Sequence, residues 1–453
     1  MTRQDLAITG GKVVVGGDIV EADIGVSDGR VSMLTSEPID AAETIDARGL
    51  LVMPGVVDEH FHAFHGYGWE TYEGATRGAV QGGVTTVVDM PLDKPPTLTA
   101  DALRTKLEAI AGHSYVDYAS FGGYLVEDPD EMNRMAELGV VAFKLFTGGV
   151  APPGMYPGVD DGQLLDALRR AAALRRTTTV HCEHAPIVDW ETRRLMADGR
   201  TDIAAWDDAR PWYSEVAAAQ NVALIAEVTG ARVVIAHASS PQTVEAVAAA
   251  RGRGGDVWAE TCHHYLCTTK EDAIADPRLK WNPPTRDAET VRWLWRLVAE
   301  GHVHSVASDH APLPKELTPD VWSQPPGAGN GVQLFFPVFA TRAVHDHGIP
   351  ITRVVELVST SPARLFGLAP RKGEIAVGAD ADFAIVQTNG SRVLDADKLE
   401  YHDQEKWSPF HGMRLRVYPE YTVLRGKLVY AEGSVTGSLA DGRHLTAKTP
   451  VAV

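Results

Sequence analysis

Between residues 51 and 309 the chain alternates short runs rich in β-branched residues with longer stretches of helical periodicity. Eight strand candidates can be counted, at 51–57, 84–90, 117–124, 140–146, 177–183, 232–239, 256–264 and 303–309. Helical stretches fall between them, at roughly 99–111, 161–174, 215–229, 241–252 and 287–299. The stretch 215–229 has Ser214 as its expected N-cap. Its apolar residues fall at Val216, Ala219, Val222, Ala223 and Ala226, and Gly230 lies just past its end. Eight β runs with intervening helices is the count of a (β/α)₈ barrel. A doubly wound open sheet would normally stop at fewer strands.

The two ends read differently. The first fifty residues alternate short β runs with Gly10-Gly11, Gly16-Gly17 and Asp28-Gly29. The last eighty repeat the style, with Arg425-Gly426 as one turn. Residues 1–50 and 373–453 are therefore expected to share one small β-sandwich domain, with the TIM barrel, 51–372, inserted between them. The Pro/Gly-rich stretch 312–331 reads as a long loop over the barrel mouth.

Bulk properties exclude several classes. With a formal net charge of −18, the chain gains no counterion-release energy on a polyphosphate, so no nucleic-acid partner is expected. No run approaches the roughly 20 apolar residues that span a bilayer, and no apolar segment follows the N-terminus; the expectation is a cytoplasmic protein with no membrane contact. Cys182, Cys262 and Cys267 have no CxxC spacing and read as reduced, buried thiols. There is no P-loop, no GxGxxG after a strand and no GxSxG.

The chemistry gathers at strand ends. His60 and His62 are two apart, and side chains at i and i+2 of a strand share a face, so both can point inward as half of a zinc site. The bland alternative is a pair of packing histidines. Lys144 lies in the apolar run 140–146 with no adjacent acid. Desolvation would lower its pKa and let it take up carbon dioxide as a carbamate whose two oxygens bridge two metals; otherwise it snorkels out of the strand end. His181 and His237 end the fifth and sixth strands and can complete a second ion. Asp309 ends the eighth, where it can bind metal and shuttle a proton, or merely cap a helix. This inventory suits two divalent cations sharing a bridging hydroxide that attacks an amide carbonyl. Glu183 and His184 read as neighbours of the ligands. His263-His264 can place one imidazole over substrate or simply pack, and His65 and Glu70 have no assignment.

At these residues the chain resembles the amidohydrolase superfamily, in its cyclic amidase branch of allantoinases, dihydropyrimidinases (hydantoinases) and dihydroorotases. The resemblance runs from Val57-Asp58-Glu59-His60-Phe61-His62 through Phe143-Lys144, Val180-His181-Cys182-Glu183 and Ser308-Asp309-His310-Ala311-Pro312 to Gly378-Ala379-Asp380-Ala381-Asp382-Phe383. It implies a carboxylated Lys144 bridging two ions, zinc above all, with cobalt, manganese or nickel as alternatives. His60 and His62 would hold one ion and His181 and His237 the other. Asp309 would be ligand and catalytic shuttle. Asp89-Met90-Pro91-Leu92 and Ala209-Arg210-Pro211-Trp212-Tyr213-Ser214 are most similar to allantoinases, so allantoin to allantoate is the leading expected reaction. A hydantoinase-like enzyme or another cyclic imide or ureide hydrolase stands as the alternative, and a non-catalytic assembly protein as the reading from another class. A mononuclear deaminase would need no bridging lysine. Asp93, His264, Asn282, Asn330 and Gly331 are the expected substrate contacts, and Asp93, His184 and Asn282 depart from the allantoinase pattern. Relatives imply a homo-oligomer, commonly a tetramer.

Overall fold

The computed structural model describes residues 3–63, 65–148, 155–313, 317–318, 320–324, 331–400 and 406–447. Eight parallel strands form one sheet in chain order: Val56–Phe61, Val84–Asp89, Asp117–Gly122, Ala142–Phe146, Thr177–His181, Val233–Ile235, Val257–Cys262 and Ser305–Ala307. Every residue of these strands is buried, which is why they read as near-continuous apolar runs rather than alternating ones. The sheet closes where the eighth strand meets the first. Phe61 bridges His310, the His62 N–H donates to the His310 carbonyl at 2.8 Å, and the Ser308 hydroxyl donates to Asp58 at 2.5 Å. The molecule is thus a (β/α)₈ barrel with helices packed outside.

The run expected as one strand at 51–57 is divided at Gly55. Leu51–Pro54 lies in a seven-stranded sheet, pairing with Lys12–Val15 on one side and Phe383–Gln387 on the other, whereas Val56–Phe61 enters the barrel. The reason is local crowding. A Cβ on Gly55 would lie 2.1 Å from the Thr85 hydroxyl oxygen, so only glycine passes where the chain changes sheets. A four-stranded sheet, including Gln4–Thr9 and Ala41–Asp46, faces the seven-stranded one. Leu6, Ile8, Ile24 and Val26 of the first pack with Val13, Val52, Phe383, Ile385 and Val423 of the second, which makes a β-sandwich fed by both ends of the chain. The segment 443–445 leaves that sandwich and runs beside the third barrel strand: the Tyr118 N–H donates to Arg443 at 3.0 Å and the Leu445 N–H to Tyr118 at 2.7 Å.

The expected helices appear with small shifts. The helix Trp212–Thr229 starts two residues before Ser214, whose hydroxyl accepts the His184 N–H instead of capping. Gly230 ends it in the left-handed conformation, φ 68°. Cys182, Cys262 and Cys267 are free thiols. Among the described residues no helix is long and apolar enough to cross a membrane.

Candidate metal centre

The first barrel strand carries an irregularity that shapes the site. Its register with the second strand slips between Asp58 and Phe61. A slip of this kind places neighbouring residues on one side of a strand. Glu59 and His60 accordingly both reach Glu260 of the seventh strand: the His60 Nδ1 lies 2.7 Å from Glu260 Oε1, and the Glu260 charge helps hold the Glu59 carboxyl well above its usual range, after the larger effect of burial.

Above this point the candidate ligands converge. Asp309 Oδ1 lies 3.3 Å from His60 Nε2 and 3.4 Å from His62 Nε2. Ligands on a tetrahedral zinc at 2.0–2.2 Å stand about 3.4 Å apart, so the two Asp309 edges match such a site. The His181 Nδ1 and His237 Nε2 face each other at 2.9 Å, and the His60 and His237 rings are 5.3 Å apart. His237 (φ 38°) and Asp309 (φ 46°) both adopt left-handed backbone, which non-glycine residues avoid. Strain of this kind is held where the surroundings over-determine a functional geometry.

Lys144 is 1 % exposed, and its side-chain nitrogen has no hydrogen-bond partner among the described residues. It lies over the Phe146 ring, 5.1 Å from the ring centre. Burial pushes its pKa below the ordinary lysine value, against the weaker pull of Glu260 and Asp309. A buried amine with a lowered pKa among imidazoles is a poor structural choice and a good candidate nucleophile. Burial also lowers His62, to about 4, and His237 well below the ordinary value. Burial alone would raise Asp309, yet His60, His62 and His237 hold it well below the usual carboxylate range. Neutral imidazoles beside an ionised carboxylate are the protonation states a cation requires.

Residues behind the candidate ligands fix their orientation. Glu260 Oε1 accepts from both His60 Nδ1 and the His237 N–H, the latter at 3.0 Å. With its Nδ1 proton so engaged, His60 turns Nε2 toward Asp309. Glu183 lies 2.8 Å from His181 Nε2, and its other oxygen is 3.5 Å from Arg210. Glu183 was visible from its place beside His181. Glu260 carries no such neighbour in sequence; an acid inside an otherwise apolar strand is its one readable signal. Glu70, unassigned in the sequence, pairs with His310 at 2.7 Å, and His310 stacks on Phe61.

The expected substrate contacts divide. His264, Cys262 and Asp309 bring ligand atoms within 4.8 Å of one another, so His264 faces the centre; its ring lies 4.2 Å from that of Trp281. Asn282 follows Trp281 and is half-buried. Asp93 is buried and engaged by Lys106 at 2.9 Å, the Thr97 hydroxyl at 2.7 Å and the His65 N–H at 3.0 Å. Gly331 has both backbone groups in use: its N–H donates to His310 Nδ1 and its carbonyl accepts from Leu334 and Phe335. Asn330 lies outside the described residues.

Residues 51–429 match the model of the amidohydrolase family. The chain belongs to the amidohydrolase family. This amidohydrolase is 34 % identical to an L-hydantoinase of Paenarthrobacter aurescens, over 98 % of both chains. It is 34 % identical to an allantoinase of Escherichia coli O1:K1 / APEC, over 94 % of this chain and 95 % of that one. Among solved structures, the L-hydantoinase (dihydropyrimidinase) from Arthrobacter aurescens superposes with a TM-score of 0.94 at 33 % identity, covering 98 % of this chain and 100 % of that one.

Proposed function

We propose that this amidohydrolase opens the ring of a five-membered cyclic ureide by hydrolysing a ring amide bond, using two divalent cations. The convergence of four imidazoles, one carboxylate and an unpaired lysine at a single rim carries this reading. His60 and His62 would hold one ion, His181 and His237 the other, with Lys144 as its carbamate between them and Asp309 on the first. When bound, such ions lower the pKa of a water toward neutrality and polarise a carbonyl. Zinc fits the N/O donor set best; cobalt, manganese and nickel accept the same donors.

The chain's own residues supply the rest. Asp309, ionised and held by His60 and His62, takes the proton of the attacking water and delivers it to the departing ring nitrogen. His264, braced against Trp281, is assigned to the ring oxygen, and Asn282 and Asn330 to the remaining ring edge. Asp93 and Gly331 act indirectly, by holding the His65 and His310 segments.

The hydantoin ring is common to allantoin and to hydantoinase substrates, so the choice rests on the substituent at C5. Phe146 stacks on His181 with ring centres 5.0 Å apart, and Leu92, Leu98, Met155 and Tyr156 pack with it. Tyr67 and Trp69, themselves stacked, pack on the same cluster. Lys106 is shared between Asp93 and Asp89 at 2.9 Å each. An apolar wall favours an alkyl or aryl substituent over the ureido group of allantoin, whose polar atoms would be buried without partners. The leading expected substrate therefore moves from allantoin to a 5-substituted hydantoin. The test is ring-opening absorbance on 5-benzylhydantoin, hydantoin, allantoin, dihydrouracil and dihydroorotate, before and after chelation and restoration of zinc or cobalt. Faster turnover of allantoin than of the benzyl compound would reverse the substrate assignment. Full activity in metal-free protein would end the mechanism.

A further inference from the structure

The seventh barrel strand, Val257–Cys262, presents Glu260 to the centre, where it accepts from His60. Side chains two apart on a strand share a face, so Cys262 points the same way, one level nearer the barrel mouth. The chain then turns at once into the short helix His263–Cys267, with Cys262 as its N-cap, and this turn brings His264 back beside the thiol. A thiol, an imidazole and a carboxylate meet as a result. The ligand atoms of Cys262, His264 and Asp309 all lie within 4.8 Å of one another, and the three residues are 0 %, 1 % and 7 % exposed. The other two thiols are placed differently. Cys182 donates to the Val180 carbonyl at 3.6 Å, and Cys267 lies half-buried at the far end of the short helix. Among the described residues the Cys262 thiol has no hydrogen-bond partner. Burial, and after it the Asp309 charge, keeps that thiol protonated.

We propose that Cys262, His264 and Asp309 form a further metal site, separate from the catalytic pair, that takes one thiophilic divalent ion such as cadmium and stops turnover when filled. The donor set argues for that class of ion. The residues assigned to the catalytic pair offer nitrogen and oxygen only, which zinc, cobalt, manganese and nickel all accept. Sulfur enters only in this second set, and a thiolate selects soft ions over magnesium, calcium or manganese. Donors around a tetrahedral ion, with sulfur at about 2.3 Å and nitrogen or oxygen at about 2.0–2.2 Å, stand roughly 3.4–3.7 Å apart, so the three atoms need to close by no more than about 1.4 Å. The ion takes the place of the thiol proton, which passes to solvent, and nothing is oxidised or reduced. The effect on turnover rests on the reading of Asp309 as proton carrier and His264 as substrate contact. An ion held by both offsets the charge that draws a proton to Asp309 and occupies the place of the substrate's ring oxygen.

The test titrates cadmium into the full-length, zinc-loaded enzyme. Three quantities are followed: the ultraviolet charge-transfer absorbance of a cadmium thiolate, the metal content by mass spectrometry, and ring opening. The absorbance should rise to one equivalent, cadmium should bind with no zinc released, and turnover should fall in step. Cys262→Ser and Cys262→Ala should keep basal turnover, lose the absorbance and need about tenfold more cadmium, or higher still, for half-inhibition. Cys182→Ser and Cys267→Ser should behave as wild type. No absorbance in the wild type, absorbance that survives in the Cys262 variants, zinc released one for one, or equal inhibition of those variants and the wild type would each overturn the proposal. A protein inactive on every ureide would refute the hydrolytic reading alone, and absorbance and metal content would then decide this one.

Discussion

Glu260 is the residue whose removal tests the metal reading most directly. Its Oε1 accepts the His60 Nδ1 at 2.7 Å and the His237 N–H at 3.0 Å, and all three groups are buried. In Glu260→Ala both donors lose their acceptor, at about 1–3 kcal/mol each. Part of that cost is returned, because Glu260 is also one of the charges that raise Glu59. The larger effect is on the site. Without the Nδ1 acceptor the His60 tautomer is no longer fixed, and its Nε2 no longer points dependably at Asp309. Loss of such a support weakens metal binding by about 10–100-fold, equal to about 1.4–2.7 kcal/mol. Glu260→Gln keeps a neutral acceptor oxygen and should fall between Ala and wild type. The assay is competition for zinc against a chromogenic chelator, with circular dichroism to establish folding. A folded Glu260→Ala protein that holds zinc as tightly as wild type would refute the argument that this carboxylate orients the ligands.

Other outcomes follow from the same geometry. Lys144→Ala should lose about half of the bound metal by mass spectrometry and lose turnover with it; activity retained at full metal content would favour a mononuclear site. Lys372→Met strips the lysine from a buried knot in which its amine meets Asp117 at 2.6 Å, Asp382 at 2.5 Å and Asp380 at 3.0 Å, and should cost about 3–5 kcal/mol in denaturant unfolding. Gly331→Ala should cut turnover more than stability, because its Cβ would meet His263 at 2.8 Å and the Ser308 carbonyl at 3.0 Å, next to Asp309. Asp207 is pushed up to about 7 by burial. Its folded pKa exceeds the unfolded one, so the folded state binds the extra proton and stability falls as pH rises from about 4 to 7. Asp207→Asn should therefore match wild type near pH 4 and exceed it at pH 8, by up to about 4 kcal/mol, in melts across that range.

The sequence by itself determined the barrel and pointed to its candidate ligands. Fully buried parallel strands must be apolar runs, so the eight strands and the polar residues at their ends stood out against them. Lys144 and Asp309 are conspicuous because charge inside such a run is costly unless it is used. Local pattern also located most helix ends, as with Gly230. Only the tertiary structure decided what depends on distant neighbours. Gly55 looks like any glycine in an apolar run until Thr85 is seen pressed against it, and that contact moves Leu51–Pro54 out of the barrel. Asp93 reads as a substrate contact until Lys106 and Thr97 claim one of its oxygens and the His65 N–H the other. Glu260 acquires its role from His60, two hundred positions away. Periodicity reports which face a residue takes; it carries no information on which remote group will stand opposite, and hydrogen bonds and pKa values are set there.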